Sequence, residues 1–256
     1  MYDFKYEVRQ RISEVPENRE LCESAAFFLR QSVAPKYSYN FFWQDRPIIQ
    51  YPQDIMAMQE LIWSVRPNLI IETGIAHGGS IIFSASMLAM LDICDAIEMG
   101  GVFDPKASAR QVLGIDIDIR AHNRKAIEAH PMASRIRMIE GSSIAPSIIE
   151  QVYAVAANHS KILVCLDSNH THDHVLAELE AYAPLTSIGS YCVVFDTIIE
   201  DMPDNTYPDR PWGPGNNPKT AVWEYLKTHS EFEVDQGIQH KLLITMVPDG
   251  YLRRIR

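Results

Sequence analysis

Residues 69–80 decide the fold, and they read Leu69-Ile70-Ile71-Glu72-Thr73-Gly74-Ile75-Ala76-His77-Gly78-Gly79-Ser80. The stretch begins as a short apolar run that ends in an acid, and it continues as a glycine-rich turn. An apolar segment with helical spacing follows from Ile81 to Leu91. This order predicts a buried strand, a tight turn and a helix, which is the ligand-binding corner of an open α/β sheet.

The place of the acid relative to the glycines separates two kinds of ligand. In a dinucleotide-binding fold the pattern G-x-G-x-x-G comes first, and its acid follows about 20 residues later. Here Glu72 precedes Gly74, Gly78 and Gly79. Glycines let the backbone approach a ligand closely, and a carboxylate accepts hydrogen bonds from it. An acid followed by G-x-x-x-G-G-S resembles the first motif of S-adenosylmethionine (SAM) methyltransferases, where the carboxylate lies near the amino group of the ligand.

Composition limits the partners and the compartment. The chain has 256 residues with 46% hydrophobic content, which is enough for one large domain, and a formal net charge of −10. Nucleic-acid binding requires a basic footprint that so acidic a chain lacks. We expect no membrane span and no signal peptide, because no apolar run reaches about 18 residues and the first residues contain no apolar segment. Four scattered cysteines indicate neither disulfides nor zinc, so we expect a cytoplasmic protein.

Strand patterns recur along the chain and alternate with helical patterns. The predicted strands begin at residue 69 and then cover 111–117, 136–139, 161–166 and 191–195, and the predicted helices between them cover 81–94, 120–130, 145–157 and 172–183. Such alternation predicts a parallel sheet with right-handed crossovers. The last strands, predicted at 232–234 and 242–247, are joined by a link too short for a crossover and must be antiparallel. We therefore predict an α/β fold, with a Rossmann-like seven-stranded, mostly parallel sheet, one antiparallel strand and helices on both faces.

The predicted organisation is an N-terminal cap followed by one domain that contains a long loop. Residues 1–52 form a helical and aromatic N-terminal cap, and residues 53–256 form the ligand-binding domain. Within that domain, residues 197–220 contain five prolines and Trp212, and they follow the fifth strand. A loop this long in a compact domain is usually functional or disordered, so we interpret it as a mobile lid.

Acids stand at four successive strand ends, namely Glu72, Asp116, Asp167 and Asp196. The carboxyl ends of parallel strands meet at one edge of the sheet, where ligands bind. Four carboxylates at one edge repel each other unless a cation, a cationic ligand or a proton lies among them. The structural alternative is that each acid caps the helix that follows it.

Two strand ends suit a nucleoside. Asp116, followed by Ile117, ends the second strand, where a carboxylate can accept both hydroxyls of a ribose. The turn Gly141-Ser142-Ser143 follows the third strand, where the adenine edge lies in a SAM site. The alternative for this turn is a plain helix N-cap.

The fourth strand ends in a second unusual segment, which reads Asp167-Ser168-Asn169-His170-Thr171-His172-Asp173-His174. Asp167 and Asp196 lie at neighbouring strand ends, which suits a hard cation with oxygen ligands such as Mg²⁺. Participation of histidine would favour a transition metal, and a site without metal is the third alternative. We expect His172 and His174 to be surface residues at the start of a helix.

Taken together, these segments resemble the cephalosporin hydroxylase and rhamnosyl O-methyltransferase family, over residues 43–246. The matching segments are Pro67-Asn68-Leu69-Ile70-Ile71-Glu72-Thr73-Gly74, His77-Gly78-Gly79-Ser80, Gly114-Ile115-Asp116-Ile117-Asp118, Glu140-Gly141-Ser142-Ser143, Asp167-Ser168-Asn169-His170, His174-Val175-Leu176-Ala177-Glu178-Leu179 and Gly189-Ser190-Tyr191-Cys192-Val193-Val194-Phe195-Asp196-Thr197. The resemblance implies a class I SAM-dependent methyltransferase. The candidate SAM-binding residues are then Glu72, Thr73, Gly74, His77, Gly78, Gly79, Ser80, Asp116, Ile117, Ser142, Ser143 and Asp167. It also implies a Mg²⁺ held by Asp167 and Asp196.

One departure from the family concerns the metal. Members often carry Glu-Asp-Thr after the fifth strand, whereas this chain has Phe195 before Asp196. A phenyl ring cannot ligate a metal. Either the two strand-end aspartates suffice, or Glu200 or Asp201 compensates, or the metal is lost.

The resemblance implies methyl transfer from SAM to a hydroxyl of a small molecule such as a sugar or secondary metabolite. A divalent cation lowers the pKa of such a hydroxyl, and Asp196 or His170 takes its proton. We expect a homo-oligomer.

Three alternatives remain from the sequence. A nicotinamide-dependent oxidoreductase is disfavoured by the glycine spacing. A non-haem iron hydroxylase requires two histidines and a carboxylate, commonly as His-x-Asp with a distant histidine, and the sequence contains no His-x-Asp. The third is a module that binds SAM or a metal without catalysis.

Overall fold

The computed structural model describes residues 3–105 and 108–256. The helices are α1 (Phe4–Glu14), α2 (Arg19–Val33), α3 (Pro52–Val65), α4 (Gly79–Met99), α5 (Ala121–Glu128), α6 (Pro146–Ala156), α7 (His172–Tyr182), α8 (Pro218–Tyr225) and α9 (Gln236–Leu242). The strands are β1 (Phe42–Trp43), β2 (Arg46–Pro47), β3 (Leu69–Thr73), β4 (Gln111–Asp116), β5 (Ile136–Glu140), β6 (Ile162–Leu166), β7 (Tyr191–Val194), β8 (Phe232–Val234) and β9 (Tyr251–Arg254). Residues 1 and 2 of the predicted cap lie outside the described residues.

The main sheet has seven strands in the order β5-β4-β3-β6-β7-β9-β8. The pairings from β5 to β7 are all parallel, and β9 is antiparallel to both of its neighbours. The predicted fold class, including its single antiparallel strand, is therefore confirmed. Insertion of β9 also distinguishes this sheet from the dinucleotide-binding order, in which six strands run parallel.

The predicted strand at 242–247 is wrong. Helix α9 ends at Leu242, and the antiparallel strand lies further on, at 251–254. The apolar run after Leu242 is buried in a different way, because the carboxylate of Asp54 accepts hydrogen bonds from the side chain of Thr245 and, at 2.9 Å, from the backbone of Met246. Hydrogen bonds to a buried carboxylate thus replace strand pairing in this segment.

Each central strand buries both faces. In β3, Ile70 belongs to a core that includes side chains of α3 and α4, whereas Leu69 and Ile71 belong to a second core with side chains of α6, α7 and α8. Helices on both faces explain why the strands read as continuous apolar runs.

Helix α4 is long and apolar enough to cross a membrane by length and composition. It has 21 residues and a hydropathy of 1.7 in its most apolar window, half of which is buried within the fold. Its buried side chains, such as Ile81, Ile82 and Leu88, belong to the core on one face of the sheet. A core helix of an α/β domain has this composition.

A third cluster joins the N-terminal region to the segment after β7. It contains Leu29 of α2, Tyr51, and Ile198 and Met202 from a 3-10 turn over 197–201 and the residue after it. The irregular part of the predicted lid is therefore shorter than 197–220, because it begins after this turn and ends where α8 starts at Pro218.

At the edge of the sheet where the strands begin, an ion-pair network joins α4 to β4 and β5. The carboxylate of Asp92 accepts hydrogen bonds from Arg110, from Arg135 and, at 2.6 Å, from Ser108. The Arg135 side chain is only 3% exposed. Although burial alone raises the pKa of Asp92, the hydrogen bonds from Ser108, Arg110 and Arg135 lower it below its usual range.

We predict that Asp92→Asn lowers the free energy of unfolding by about 3 kcal/mol near pH 7, because it leaves buried arginine charge uncompensated. Urea unfolding of both proteins measures this loss of unfolding free energy. Since the folded-state pKa is depressed, this stability is present above the unfolded pKa of about 3.9 and is lost as the pH falls through the folded value. The control is Arg11→Gln, which breaks an exposed pair with Glu7 and should cost less than about 1 kcal/mol. Equal losses would contradict the buried-network account.

Candidate active site

The glycine turn after β3 holds two strand ends in close contact. Gly74 has a φ of +90°, and a Cβ built there would lie 2.6 Å from the carbonyl carbon of Asp167 and would overlap its oxygen. The backbone N–H of Asp167 in turn donates to the Thr73 carbonyl, at 3.0 Å. Glycine at this position therefore sets the distance between the ends of β3 and β6.

We predict that Gly74→Ala lowers the free energy of unfolding by roughly 3 kcal/mol, combining the cost of a left-handed residue with that of overpacking. Gly189 is the matched control, because it has a φ of +79° and a Cβ added there would meet no atom within 4 Å. Gly189→Ala should cost only about 1–2 kcal/mol. Urea unfolding of both variants measures the difference, and equal losses would show that contact with Asp167 contributes nothing.

Glu72 is a buried acid at the heart of this corner. Its side chain accepts a hydrogen bond from the Ser80 hydroxyl, and the residue is 4% exposed. Burial raises the pKa of Glu72 from 4.5 to about 7, against the lowering effect of that hydrogen bond. A ligand with a positive charge beside it would remove the penalty of keeping the carboxylate ionised.

The raised pKa predicts a pH dependence of stability. The folded state binds the Glu72 proton more tightly than the unfolded state, so this group destabilises the ligand-free protein as the pH rises from about 4.5 through about 7, by roughly 3 kcal/mol in all. Glu72→Gln should remove that decline and become the more stable protein at pH 8. Thermal unfolding across this range compares the two, and parallel curves would contradict the assignment.

Asp116 is tied to the glycine turn rather than to a helix. One carboxylate oxygen accepts hydrogen bonds from the backbone N–H groups of Ile75 (2.8 Å) and Ala76 (3.0 Å), and the other accepts from Asp118 N–H (3.1 Å). Helix α5 starts only at Ala121 and has another residue at its N-cap. The helix-cap alternative for Asp116 is therefore wrong, and its role toward a ribose stays a prediction.

The two serines after β5 have different environments. Ser143 is buried, its hydroxyl lies 3.1 Å from Nε2 of His174, and its carbonyl accepts a hydrogen bond from the Tyr182 hydroxyl. Ser142 is half-buried. Among the described residues, Ser142 has no comparable side-chain contact, and its role toward an adenine stays a prediction.

The prediction that His172 and His174 are surface residues is wrong. Helix α7 begins at His172, and its first turn faces the strand ends, so His174 is half-buried and also lies 3.3 Å from the Ser168 hydroxyl. His172 Nδ1 lies 2.8 Å from the Thr220 hydroxyl of α8. His174 thus connects α7 to the turn after β5 and to the loop after β6, and His172 connects α7 to α8.

The strand-end acids of β6 and β7 meet, as predicted, and His170 joins them. Ligand atoms of Asp167, His170 and Asp196 all lie within 4.8 Å of one another, and Nε2 of His170 is 3.1 Å from a carboxylate oxygen of Asp196. Burial, followed by the charges of Asp196 and Glu72, raises the pKa of Asp167 well above its usual range. Asp196 has a φ of 55°, a strained conformation of the kind that accumulates at functional sites.

Three residues near this cluster bear on the metal ligand that the family has and this chain lacks, namely Phe195, Glu200 and Asp201. Phe195 is buried in the core between the sheet and α3/α4. Glu200 accepts hydrogen bonds from Gly215 and Asn217, and Asp201 is held by Lys219 at 2.7 Å. Neither acid belongs to the group formed by Asp167, His170 and Asp196, and which residues hold a metal stays a prediction.

A cleft of about 780 Å³ contains the glycine turn and the acid–histidine cluster. Its other walls come from the N-terminal region and from the segment after β7. These walls include the aromatic side chains Tyr39, Tyr51, Tyr207 and Trp212 together with Asp54, Lys36, Arg210 and Met246. His77 also faces the cleft, whereas Ile117, another predicted SAM-binding residue, is exposed after β4.

Sequence reasoning missed the role of Asp54. It stands in the first turn of α3 but is not the N-cap, which is Tyr51. Its carboxylate is buried and also accepts from the Tyr251 hydroxyl at 2.9 Å, and burial raises its pKa to about 6. The only sequence signal is an acid at a helix start, a pattern typical of an N-cap.

Residues 35–255 match the family model described as Rhamnosyl O-methyltransferase/CmcI. The chain belongs to this family. The rhamnosyl O-methyltransferase of Mycobacterium tuberculosis is 31% identical over 207 residues, which cover 78% of this chain and 73% of that protein. The one from Mycobacterium leprae is 29% identical over 215 residues, covering 83% and 82%. The family makes this protein a SAM-dependent methyltransferase, as the resemblance predicted.

Solved structures have the same fold. A CmcI apo structure aligns with a TM-score of 0.54 at 18% identity, covering 85% of this chain and 77% of that one. CalS11, described as a TDP-rhamnose 3'-O-methyltransferase, aligns with a TM-score of 0.51 at 17% identity, covering 99% and 96%. These likenesses support the class I methyltransferase sheet.

Two of the three competing interpretations lose their basis. The antiparallel β9 does not occur in the dinucleotide-binding order, which removes the support for an oxidoreductase. In the described part of the chain the candidate metal group has two carboxylates and one histidine, whereas the iron triad of hydroxylases has two histidines and one carboxylate.

Proposed function

We propose that this protein transfers a methyl group from SAM to a hydroxyl of a sugar or sugar-bearing secondary metabolite, with the help of Mg²⁺. The observation that carries the proposal is the cluster of Asp167, His170 and Asp196, which shares one cleft with the glycine turn in a member of a rhamnosyl O-methyltransferase family. An acceptor of this class also suits a chain with a net charge of −10 better than a nucleic acid does.

The glycine turn and its acids suit SAM, which supplies an electrophilic methyl group on a sulfonium. Glu72 is the partner for the amino group, because a positive charge relieves the cost of its burial. Asp116 stands at the β4 end for the ribose, and Ser142 at the β5 turn for the adenine. Gly74 and Gly79 give the backbone room: a Cβ at Gly79 would collide with Pro47 in the β1–β2 hairpin.

The donors at the ends of β6 and β7 fit a hard divalent cation. Burial and, after it, the nearby charge of Asp196 raise the pKa of Asp167, so the pair holds a proton when no cation is present. Asp167 and Asp196 would hold the ion by their oxygens, as Mg²⁺ prefers. When bound, such an ion acidifies and orients a hydroxyl.

His170 is the proposed general base. With Nε2 directed at the Asp196 carboxylate, the neutral ring carries its proton on Nε2, and Nδ1 accepts the proton of the acceptor hydroxyl. Asp196 orients the ring. Asp196 itself is the alternative base.

The walls of the cleft suit a sugar. Tyr39, Tyr207 and Trp212 present aromatic rings that cover the apolar face of a pyranose, and the acids below accept from its hydroxyls. We assign the acceptor side to the N-terminal cap, residues 1–52, and to the lid after β7. We also propose a cytoplasmic homo-oligomer, in which a second copy covers exposed aromatic residues such as Phe4 and Phe27.

Calorimetry with SAM and methyl transfer to a panel of rhamnosides test the proposal. We predict that Asp116→Ala weakens SAM binding by about 1.5–3 kcal/mol, as expected for a charge-assisted hydrogen bond, whereas Asp173→Asn on the outer surface of α7 does not.

We predict that chelation abolishes methyl transfer, that Mg²⁺ restores it, and that Asp167→Asn abolishes the restoration while SAM still binds. Absence of SAM binding by the unmodified protein would reject the function. Transfer that survives both chelation and Asp167→Asn would reject the metal and leave proton abstraction by His170 or Asp196.

A further inference from the structure

The segment over residues 211–217 is fastened to the start of α7. The Glu200 carboxylate accepts a hydrogen bond from the side chain of Asn217. The side-chain oxygen of Asn216 accepts one from the backbone N–H of His172, at 2.9 Å. These bonds dock the end of the lid beside the loop that carries the proposed base.

Trp212 is the second residue of this docked segment, and its ring lies against His170. The two ring centroids are 4.8 Å apart and the ring planes are nearly perpendicular, at 83°. The guanidinium of Arg210 lies over the indole, 5.1 Å from its centroid. Nε2 of His170 lies 3.1 Å from a carboxylate oxygen of Asp196. Successive contacts therefore connect the exposed Arg210 to Trp212, Trp212 to His170, and His170 to the acid at the end of β7.

The His170 side chain is only 19% exposed, and its polar and aromatic contacts are few. Within residues 3–105 and 108–256, its side chain has one ion-pair partner, Asp196, and one ring contact, Trp212. The terminal torsion of a histidine has a broad, roughly two-fold preference, so one bond to a carboxylate does not hold one nitrogen in place. A perpendicular aromatic ring blocks the half-turn of the imidazole that exchanges Nδ1 with Cδ2.

We propose that Trp212 is a positioning residue for methyl transfer, which holds the His170 imidazole with Nε2 toward Asp196 and Nδ1 toward the acceptor. The lid thereby completes the base only when residues 211–217 are docked. This inference rests on the proposed role of His170, but the ring orientation is a property of the protein without SAM or metal.

The test is nuclear magnetic resonance of the full chain carrying ¹⁵N-labelled histidine, at a pH of about 9, where imidazoles of ordinary pKa are neutral. Comparison with His170→Gln assigns the signals. In the unmodified protein we expect one tautomer, with the proton on Nε2. Trp212→Leu should raise the other tautomer at least fivefold, Trp212→Phe should restore most of the original population, and Arg210→Gln should give a smaller change in the same direction.

Trp63 provides the matched control. It is another indole beneath an arginine, with Arg66 at 5.2 Å from its centroid, and it is exposed on α3 away from the cleft. Trp63→Leu should leave the His170 tautomer unchanged. Calorimetry on the same samples should show unchanged SAM affinity for Trp212→Leu, and loss of SAM binding in the unmodified protein would count against the proposed function alone. Unchanged His170 tautomer populations in both Trp212→Leu and Arg210→Gln would overturn the positioning role.

Discussion

The site depends on the backbone contact between Gly74 and Asp167, where the ends of β3 and β6 meet. Only a residue without a Cβ allows this approach, and only one that tolerates a φ of +90° can make the turn. The same turn presents the N–H groups of Ile75 and Ala76 to Asp116. The proposed nucleoside side and the proposed metal side of the cleft are therefore held in register by one glycine.

Buried acids are treated differently at the two edges of the sheet. At the edge where the strands begin, arginines neutralise Asp92, and the pKa of this acid falls. At the carboxyl edge, Glu72 and Asp167 have no cation beside them among the described residues, and burial raises both pKa values. The first arrangement stabilises the fold. The second costs stability in the ligand-free protein and favours the cationic ligands that the family implies.

The proposed acceptor side is built from parts of the chain that are distant in sequence. A small hydrophobic cluster brings Leu29 and Tyr51 of the N-terminal region to Met202 and Tyr207 after β7. Aromatic residues from both regions line the cleft above the acids. Under the proposed assignment, variation in these two segments changes the acceptor without disturbing the glycine turn, because the turn connects two elements of the central fold and the walls lie outside it.

The sequence by itself determined the fold class, the glycine turn and the acids at the strand ends, because a buried parallel strand leaves a local signature: an apolar run followed by a turn. It also placed Asp167 and Asp196 together, since neighbouring parallel strands end at one edge. It failed for Leu242–Val247, where an apolar run packs against the buried Asp54 instead of forming a strand. Only the tertiary structure decided that Asp116 holds the turn, that His174 is a brace, that Glu200 and Asp201 are engaged elsewhere, and that Trp212 meets His170. Each of these contacts joins residues on different elements, whose side-chain directions follow from packing and leave no periodic pattern in the chain.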